Sequence, residues 1–496
     1  MISARIRDGL RFRSLLWLVI LPALLAGRPA AAQGASAAAT PLPFALELHE
    51  LASGGLPALH SFAFAQSGGK WLLVGGRTNG LHAFSRSHGA QPPQNAFPPD
   101  RANRRVWVID PAQGKKWSAP LQSLPPALAD ALAANNTEFY QDGNVLYVLG
   151  GYGLDSGSGK MTTFGTLTAL KVQETIQAVI GGKPLAPHIQ QTATYTDQTR
   201  GGALRSFYFQ AAGGGLAKAG SFFYLVFGQL FDGLYSVDPG DSGRWPVQQK
   251  YTERVVVLTL TPEPLAAAVV KVIEQDPNDF SAPYHRRDLN LVPALKPGGG
   301  ERLAAYGGVF SPGRDSAYEE PVYLDGGEAP ESVTVTVDKG YRQLMSQYQC
   351  ATLPLFNTPT GDMLTTLFGG ISLHYFDAKT GKFRRDDGLP FIDGVTALVR
   401  HADGTSAEYL LPVALPRLLG TDMVFIPRPA VPRAANGVLL LDAIHGRTLV
   451  GHLYGGIVST TVHSGPQAQN TSASNALFEV WLTPGPAAGT PVTVPE

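Results

Sequence analysis

The sequence predicts an all-β protein: a six-bladed β-propeller of four-stranded antiparallel blades, its ring closed by an N-terminal strand pairing in the last blade. Three observations lead there. An apolar strand ending in two glycines, Trp71-Leu72-Leu73-Val74-Gly75-Gly76, returns as Leu146-Tyr147-Val148-Leu149-Gly150-Gly151, Ala304-Ala305-Tyr306-Gly307-Gly308, Thr366-Leu367-Phe368-Gly369-Gly370 and Leu453-Tyr454-Gly455-Gly456, with a degenerate copy at Tyr224-Leu225-Val226-Phe227-Gly228-Gln229. A unit repeated six times at this period is one small β-element stacked on itself. Short runs rich in Val, Leu, Phe, Tyr and Thr, bounded by Gly, Pro, Asn and Asp, fall around each copy in groups of about four. One strand is missing at the end of the chain, and one is left over at its beginning.

The elements follow in order. Strands at 60–66, 71–76, 106–110 and 116–121 make a first group, and 137–141, 145–151, 167–172 and 189–194 a second. A third opens with 204–210, 222–228 and 253–260, followed by 265–275, whose Leu-Ala-Ala-Ala start reads as a short helix. The fourth is 289–293, 302–308, 321–324 and 333–338, and the fifth 350–356, 364–370, 396–400 and 406–411. The sixth has 422–427, 448–456 and 477–482, and 44–51 completes it if the termini pair, leaving no unprotected edge at either chain end. Aligned glycines at 75, 150, 228, 307, 369 and 455 give longer units than a blade of roughly 50 residues needs. The surplus lies just after the diglycine, in 77–105, 153–165, 309–320, 371–393 and 457–476.

Residues 1–32 are set apart. Arg5, Arg7, Arg11 and Arg13 precede an apolar run from 14 to 27, and Ala30-Ala31-Ala32 supplies a cleavage site, the layout of a secretory signal peptide. A flexible mature N-terminus at 33–43, the propeller at 44–483 and a flexible Pro/Gly tail at 484–496 complete the expected organisation. The protein is then periplasmic or extracellular, with no integral membrane segment after cleavage. Without residues 1–32 the chain holds 34 basic and 38 acidic residues, a balance that offers no footprint for nucleic acid. A single cysteine, Cys350, excludes an intramolecular disulfide, and buried apolar surface has to hold the fold.

The strand–Gly–Gly units followed by an aromatic outer pair, most complete in Gly75-Gly76, Trp107 and Trp117, resemble the kelch repeat family. The outer Trp is absent from groups three to six, so the resemblance is to a divergent kelch-like propeller. Stretches 60–82, 285–293 and 472–475 also resemble exported bacterial kelch-type proteins, a resemblance that implies no particular activity.

Strand alternation sends the post-diglycine loops and the interblade connections to one face, where a rigid scaffold usually carries function. Candidate ligand-binding residues there are Arg77, Asn79, His82, His285, Arg286, Arg287, Arg314 and His374. Two guanidiniums beside an imidazole suit a carboxylate or sulfate; equally, Arg287 pairs with Asp288 and serves only the fold. No Gly-x-Ser-x-Gly, phosphate loop or His-Glu-x-x-His occurs, so no catalytic residue is assigned. No cofactor or metal is expected: the histidines are scattered, and Asp232, Asp238 and Asp241 read as turn carboxylates rather than calcium ligands. Tyr348 lies two residues from Cys350 on the same strand face, but the His and Tyr ligand pattern that accompanies the Cys–Tyr crosslink of galactose oxidase is not recognisable around it, and an inert buried thiol is the simpler reading. The expected role is a binding module for a protein, glycan or cell-envelope ligand, with an enzyme on an acidic sugar or a structural envelope component as alternatives.

Overall fold

The computed structural model describes residues 42–82, 96–199, 203–205, 207–235, 248–312, 316–464 and 469–495. The signal-peptide segment, Arg314, Asp238 and Asp241 lie outside them. Six of the sheets among the described residues are each built on four antiparallel strands, some with short strands added at an edge. Sheet 1 is Ala63–Ser67, Lys70–Val74, Arg105–Asp110 and Lys115–Pro120, and sheet 2 is Glu138–Asp142, Val145–Leu149, Leu167–Lys171 and Ile189–Thr192. Sheet 3 is Gly215–Ala219, Phe222–Val226, Arg254–Pro262 and Leu265–Glu274, with Thr194–Asp197 and Ala203–Arg205 added outside it. Sheet 4 is Arg287–Leu295, Glu301–Ser311, Val322–Asp325 and Thr334–Val337, and sheet 5 is Ala351–Asn357, Asp362–Ile371, Phe391–Arg400 and Ser406–Ala414. Sheet 6 takes Thr421–Pro427, Thr448–Ser459 and Leu477–Ala487, and its fourth strand is Leu42–Leu51, antiparallel to Leu477–Ala487 with Leu46 opposite Leu482.

Each sheet buries both faces, so its second strand is buried along nearly its whole length rather than at alternate residues. In sheet 1, Leu72 and Val74 pack with Leu146, Val148 and Leu170 of sheet 2. The residues between them, Trp71 and Leu73, pack with Ile426, Tyr454 and Leu477 of sheet 6. Similar clusters join sheets 2 and 3, 3 and 4, 4 and 5, and 5 and 6.

The diglycines explain how the sheets meet. The second glycine's N–H, or its equivalent, bonds a carbonyl in the segment entering the next sheet: Gly76 to Ala134, Gly151 to Ala211, Gly228 to Arg286, Gly308 to Gln347 and Gly370 to Leu419, at 2.7–3.1 Å. The sixth, Gly456 to Leu59 at 2.9 Å, returns to sheet 1. The carbonyl can come this close because the first glycine has no side chain: a Cβ on Gly75 would lie 2.6 Å from the oxygen of Ala134.

Several expectations need correction. In the third group the register is one residue earlier than expected, because Gly228 matches the second glycine and Phe227, at φ +56°, stands in the first position. Phe227 keeps that left-handed backbone while its ring stacks on Tyr284, 5.0 Å away. The inner strand of sheet 3 is Gly215–Ala219, not 204–210. The segment 265–275 is a strand, not a helix, because Val255–Leu258 of its hairpin partner and the alternately buried Ala267 and Val269 outweigh local helix preference. Strand structure also runs past 483: Leu477–Ala487 is continuous, and Thr490–Pro491 pairs with the outer edge of sheet 5. No helix among the described residues is long and apolar enough to cross a membrane.

Candidate functional site

The segment leading into each inner strand carries a residue that repeats in place: Ser61, Asn136, Gly213, Asp288, Gln349 and Asp422. Five of them are left-handed, with φ of +52° to +55° at Ser61, Asn136, Asp288 and Asp422 and +71° at Gly213. For Ser and Asp this backbone costs roughly 1–3 kcal/mol and persists only where surroundings enforce it. Enforcement is visible as a chain of backbone bonds. Gly213 N–H donates to Asn136 at 3.1 Å, Asp288 to Gly213 at 2.5 Å, Gln349 to Asp288 at 2.7 Å and Asp422 to Gln349 at 3.0 Å. The collar so formed separates two cavities that share Ser61, Asn136 and Asp422.

On the diglycine side of the collar lies the candidate site, a cleft of about 50 Å³ lined by His60, Arg77, His82, Tyr152, Tyr235, Arg287, Asp288 and Asp422 among others. That is room for a few waters or the end of a ligand. One wall is a further sheet assembled from post-diglycine segments, Tyr152–Asp155, Lys160–Thr163, Gln229–Asp232 and Gln248–Tyr251. Its Tyr152 hydroxyl donates to the Gly233 carbonyl at 2.7 Å and accepts from the Tyr235 N–H at 3.1 Å, fixing both rings at the cleft.

Arg77 is 3% exposed. Its Nε donates to Asn79 Oδ1 at 3.0 Å and its Nη2 to the Pro98 carbonyl at 3.1 Å, and the guanidinium lies 5.2 Å from the Phe97 ring centre. Among the described residues it makes no ion pair, and burial pulls its pKa down to about 10. A buried cation ordinarily has an anion beside it. Arg287 does: Asp288 is 3.3 Å away, Gln229 accepts from Nη1, and Tyr235 Oη lies 3.2 Å from Nη2. Burial pushes the Asp288 carboxyl up to about 6, although Arg287 opposes the shift.

His60 closes the site. Its Nδ1 is 2.8 Å from Ser61 Oγ and 3.3 Å from Asp422 Oδ2, while Ser61 donates its hydroxyl proton to the same Asp422 oxygen at 2.5 Å. The opposite nitrogen, Nε2, is buried and has no hydrogen-bond partner among the described residues.

Of the expected residues, Arg77, His82 and Arg287 meet in this cleft, and Asn79 orients Arg77. The run His285-Arg286-Arg287 instead splits three ways. His285 bonds Glu253 at 2.5 Å and stacks on Tyr251 outside the cleft. Arg286 is wholly buried beneath Tyr318, and its guanidinium donates to the carbonyls of Pro283, Gly307 and Glu320, so it is part of the sheet 3–sheet 4 joint. His374, 2% exposed, bonds the Leu344 carbonyl at 3.1 Å and does not line the cleft. Ser61, Asn136, Asp288 and Asp422 were not among the expected ligands. A constant distance back from the diglycine would have found only Ser61, Asn136 and Gly213, because Asp288, Gln349 and Asp422 lie farther from Gly307, Gly369 and Gly455. The Cys350 thiol is buried and its pKa is pushed up to about 12 by desolvation. Among the described residues no three His, Cys, Asp or Glu side chains converge as a metal site.

No family model matches the chain, and no curated protein matches it. Among solved structures, that of YjhT is similar over 85% of this chain and 98% of the other, at 11% identity and a TM-score of 0.42. No residue takes a role from that likeness.

Proposed function

We propose that the chain is an exported, kelch-like six-bladed β-propeller that acts as a binding module, with its ligand-binding end in the cleft above the collar. The inter-sheet bonds that lead from sheet 1 to sheet 6 and back support the propeller reading. The ligand chemistry we infer is a small carboxylate, free or at the tip of a glycan. One observation carries this: Arg77 is a buried guanidinium with no ion pair among the described residues, where burial outweighs the distant pull of Asp100, and it stands in the wall of a cleft that Arg287 also lines. A carboxylate would supply the missing anion and take forked hydrogen bonds from the guanidinium.

Calorimetric titration of the mature protein with acetate, propionate and uronic acids at pH 7 and low salt tests the reading. Saturable binding is expected, weakened at least tenfold in Arg77→Gln. A flat titration with every carboxylate would remove it. The reading as an enzyme on an acidic sugar is favoured by the His60–Asp422 pair, since an imidazole oriented by a carboxylate is suited to moving a proton. Turnover of an acidic sugar that vanishes in Asp422→Asn would establish it.

A further inference from the structure

We infer that a second cavity, built by the long post-diglycine segments of groups five and six, takes a small apolar molecule with a cationic head, of the alkyl- or arylalkylammonium class. The hairpin of His374–Asp377 and Lys382–Arg385 pairs with no other strand among the described residues. It packs on sheet 5 through Phe383, which shares a cluster with Met345 and Ile392. Beside it sheet 5 is irregular: Gly394 pairs with Ala414 but Thr396 with Leu410, so the second strand bulges by two residues. A bulge bends its strand and re-aims its side chains. Leu411 and Val413, within the bulge, join Phe376, Ile392 and Leu418 in lining a cavity of about 480 Å³, far larger than the cleft at Arg77. A space of that size with mostly apolar walls and few polar groups is the usual form of a small-molecule site. Its rim is fixed by the Phe391 N–H, which donates to the Val462 carbonyl at 2.7 Å.

The head group follows from charge. Among the described residues the lining holds two charged side chains, Asp386 and Asp393, and no Lys, Arg or His. Asp393 is exposed, and its side chain makes no hydrogen bond or ion pair among the described residues. Asp386 accepts from the Gly388 N–H at 2.9 Å and lies 3.1 Å from His463 Nε2, which ties the hairpin to the sheet 6 segment. The arginines of neighbouring segments are already matched, Arg384 with Asp377, Arg385 with Asp387 and Arg417 with Glu50. Two carboxylates in an apolar lining attract a cation and repel an anion. That field acts over several ångström, so neither carboxylate has to touch the ligand. The cavity shares no lining residue with the cleft, and the inference does not rest on the carboxylate reading.

Three compounds test it on the intact mature protein: 2-phenylethylamine, a cation at pH 7; 2-phenylethanol, its neutral counterpart of the same shape; and ethylamine, which has the charge without the ring. Calorimetric titration at low salt should show saturable binding of the first, about tenfold weaker binding of the second, and none of the third at the same concentrations. In the double variant Asp386→Asn, Asp393→Asn the amine should fall to the affinity of the alcohol, while the alcohol is unchanged. Salt at about 0.5 M should narrow the gap in the wild type. The place of binding is read from carbon-13 methyl signals of the methionines. The Met345 signal, identified by its loss in Met345→Leu, should move with both aromatic compounds, while those of Met161, Met363 and Met423 stay put. Equal affinity for amine and alcohol overturns the cationic head. No binding of either, or binding that leaves Met345 unmoved, overturns the site. Self-association of the mature protein that Val413→Glu abolishes would give the cavity to a second copy and overturn the inference as well.

Discussion

Glu138 illustrates how single side chains set the behaviour of this molecule. It is buried in the cavity beneath the collar, accepts the Gly214 N–H at 2.7 Å, and has its pKa pushed up to about 8 by desolvation. An unfolded chain would release that proton near 4.5. Between those values the native state binds more protons than the unfolded state, so stability falls as pH rises through the window. Glu138→Gln keeps an acceptor for Gly214 and removes the titration. Its melting temperature should match or modestly exceed that of the wild type at pH 5, with the advantage widening by pH 8.5. An offset independent of pH would show that Glu138 ionises in the native state as readily as in water. At this scale the sequence was half legible. Arg77, His82 and Arg287 stand out as polar residues beside turns, and they do converge. Arg286 looks identical to Arg287 in the sequence and is buried like it, but successive residues entering a strand point to opposite sides, so Arg287 meets the cleft while Arg286 is spent on backbone carbonyls.

The strand–Gly–Gly unit is the element that repeats, and its two glycines do different work. The second positions an N–H, and the first removes a side chain from the path of a carbonyl. Gly75→Ala would combine a left-handed backbone at φ +70° with a Cβ 2.6 Å from Ala134 O. Gly143→Ala meets a comparable φ of +57° in open space. Both should destabilise through the backbone, by about 1–2 kcal/mol, and the first by clearly more in a denaturant titration. Equal losses would mean that the approach of the neighbouring sheet does not constrain this position. Strand positions were readable because the apolar runs and turn residues agree with the final packing. The segment 265–275 was misread because alanines favour a helix only until a hairpin partner covers one face. The register of the third group was misread because Phe227 occupies a position that looks reserved for glycine.

Over the whole chain, sheet 6 is completed by residues from both ends of the described structure. Leu42, Phe44 and Leu46 are buried in the cluster between sheets 5 and 6. Arg417, in the link from sheet 5 to sheet 6, and Arg447, just before Thr448–Ser459, pair with Glu50 and Glu47, although such exposed pairs add little. Phe44→Ala should cost about 3–5 kcal/mol, whereas Arg447→Ala should move the denaturation midpoint far less. Deleting residues 42–51 should leave a bare strand edge at Leu477–Ala487 and drive self-association, visible by light scattering. A deletion variant that stays monodisperse would show that this edge is protected by something else. The pairing of the two ends was legible from strand arithmetic alone. The collar was not, because left-handed backbone at Ser, Asn and Asp leaves no composition signature.

The return of the inter-sheet bonds to sheet 1 bears on how the molecule comes apart. An open array of repeats frays from its terminal units inward, and its slowest-exchanging amides sit in the middle. Here every unit has two neighbours, so fraying has no preferred starting point. Amides on the second strands of all six units should exchange with deuterium at one common rate, set by a single all-or-none opening.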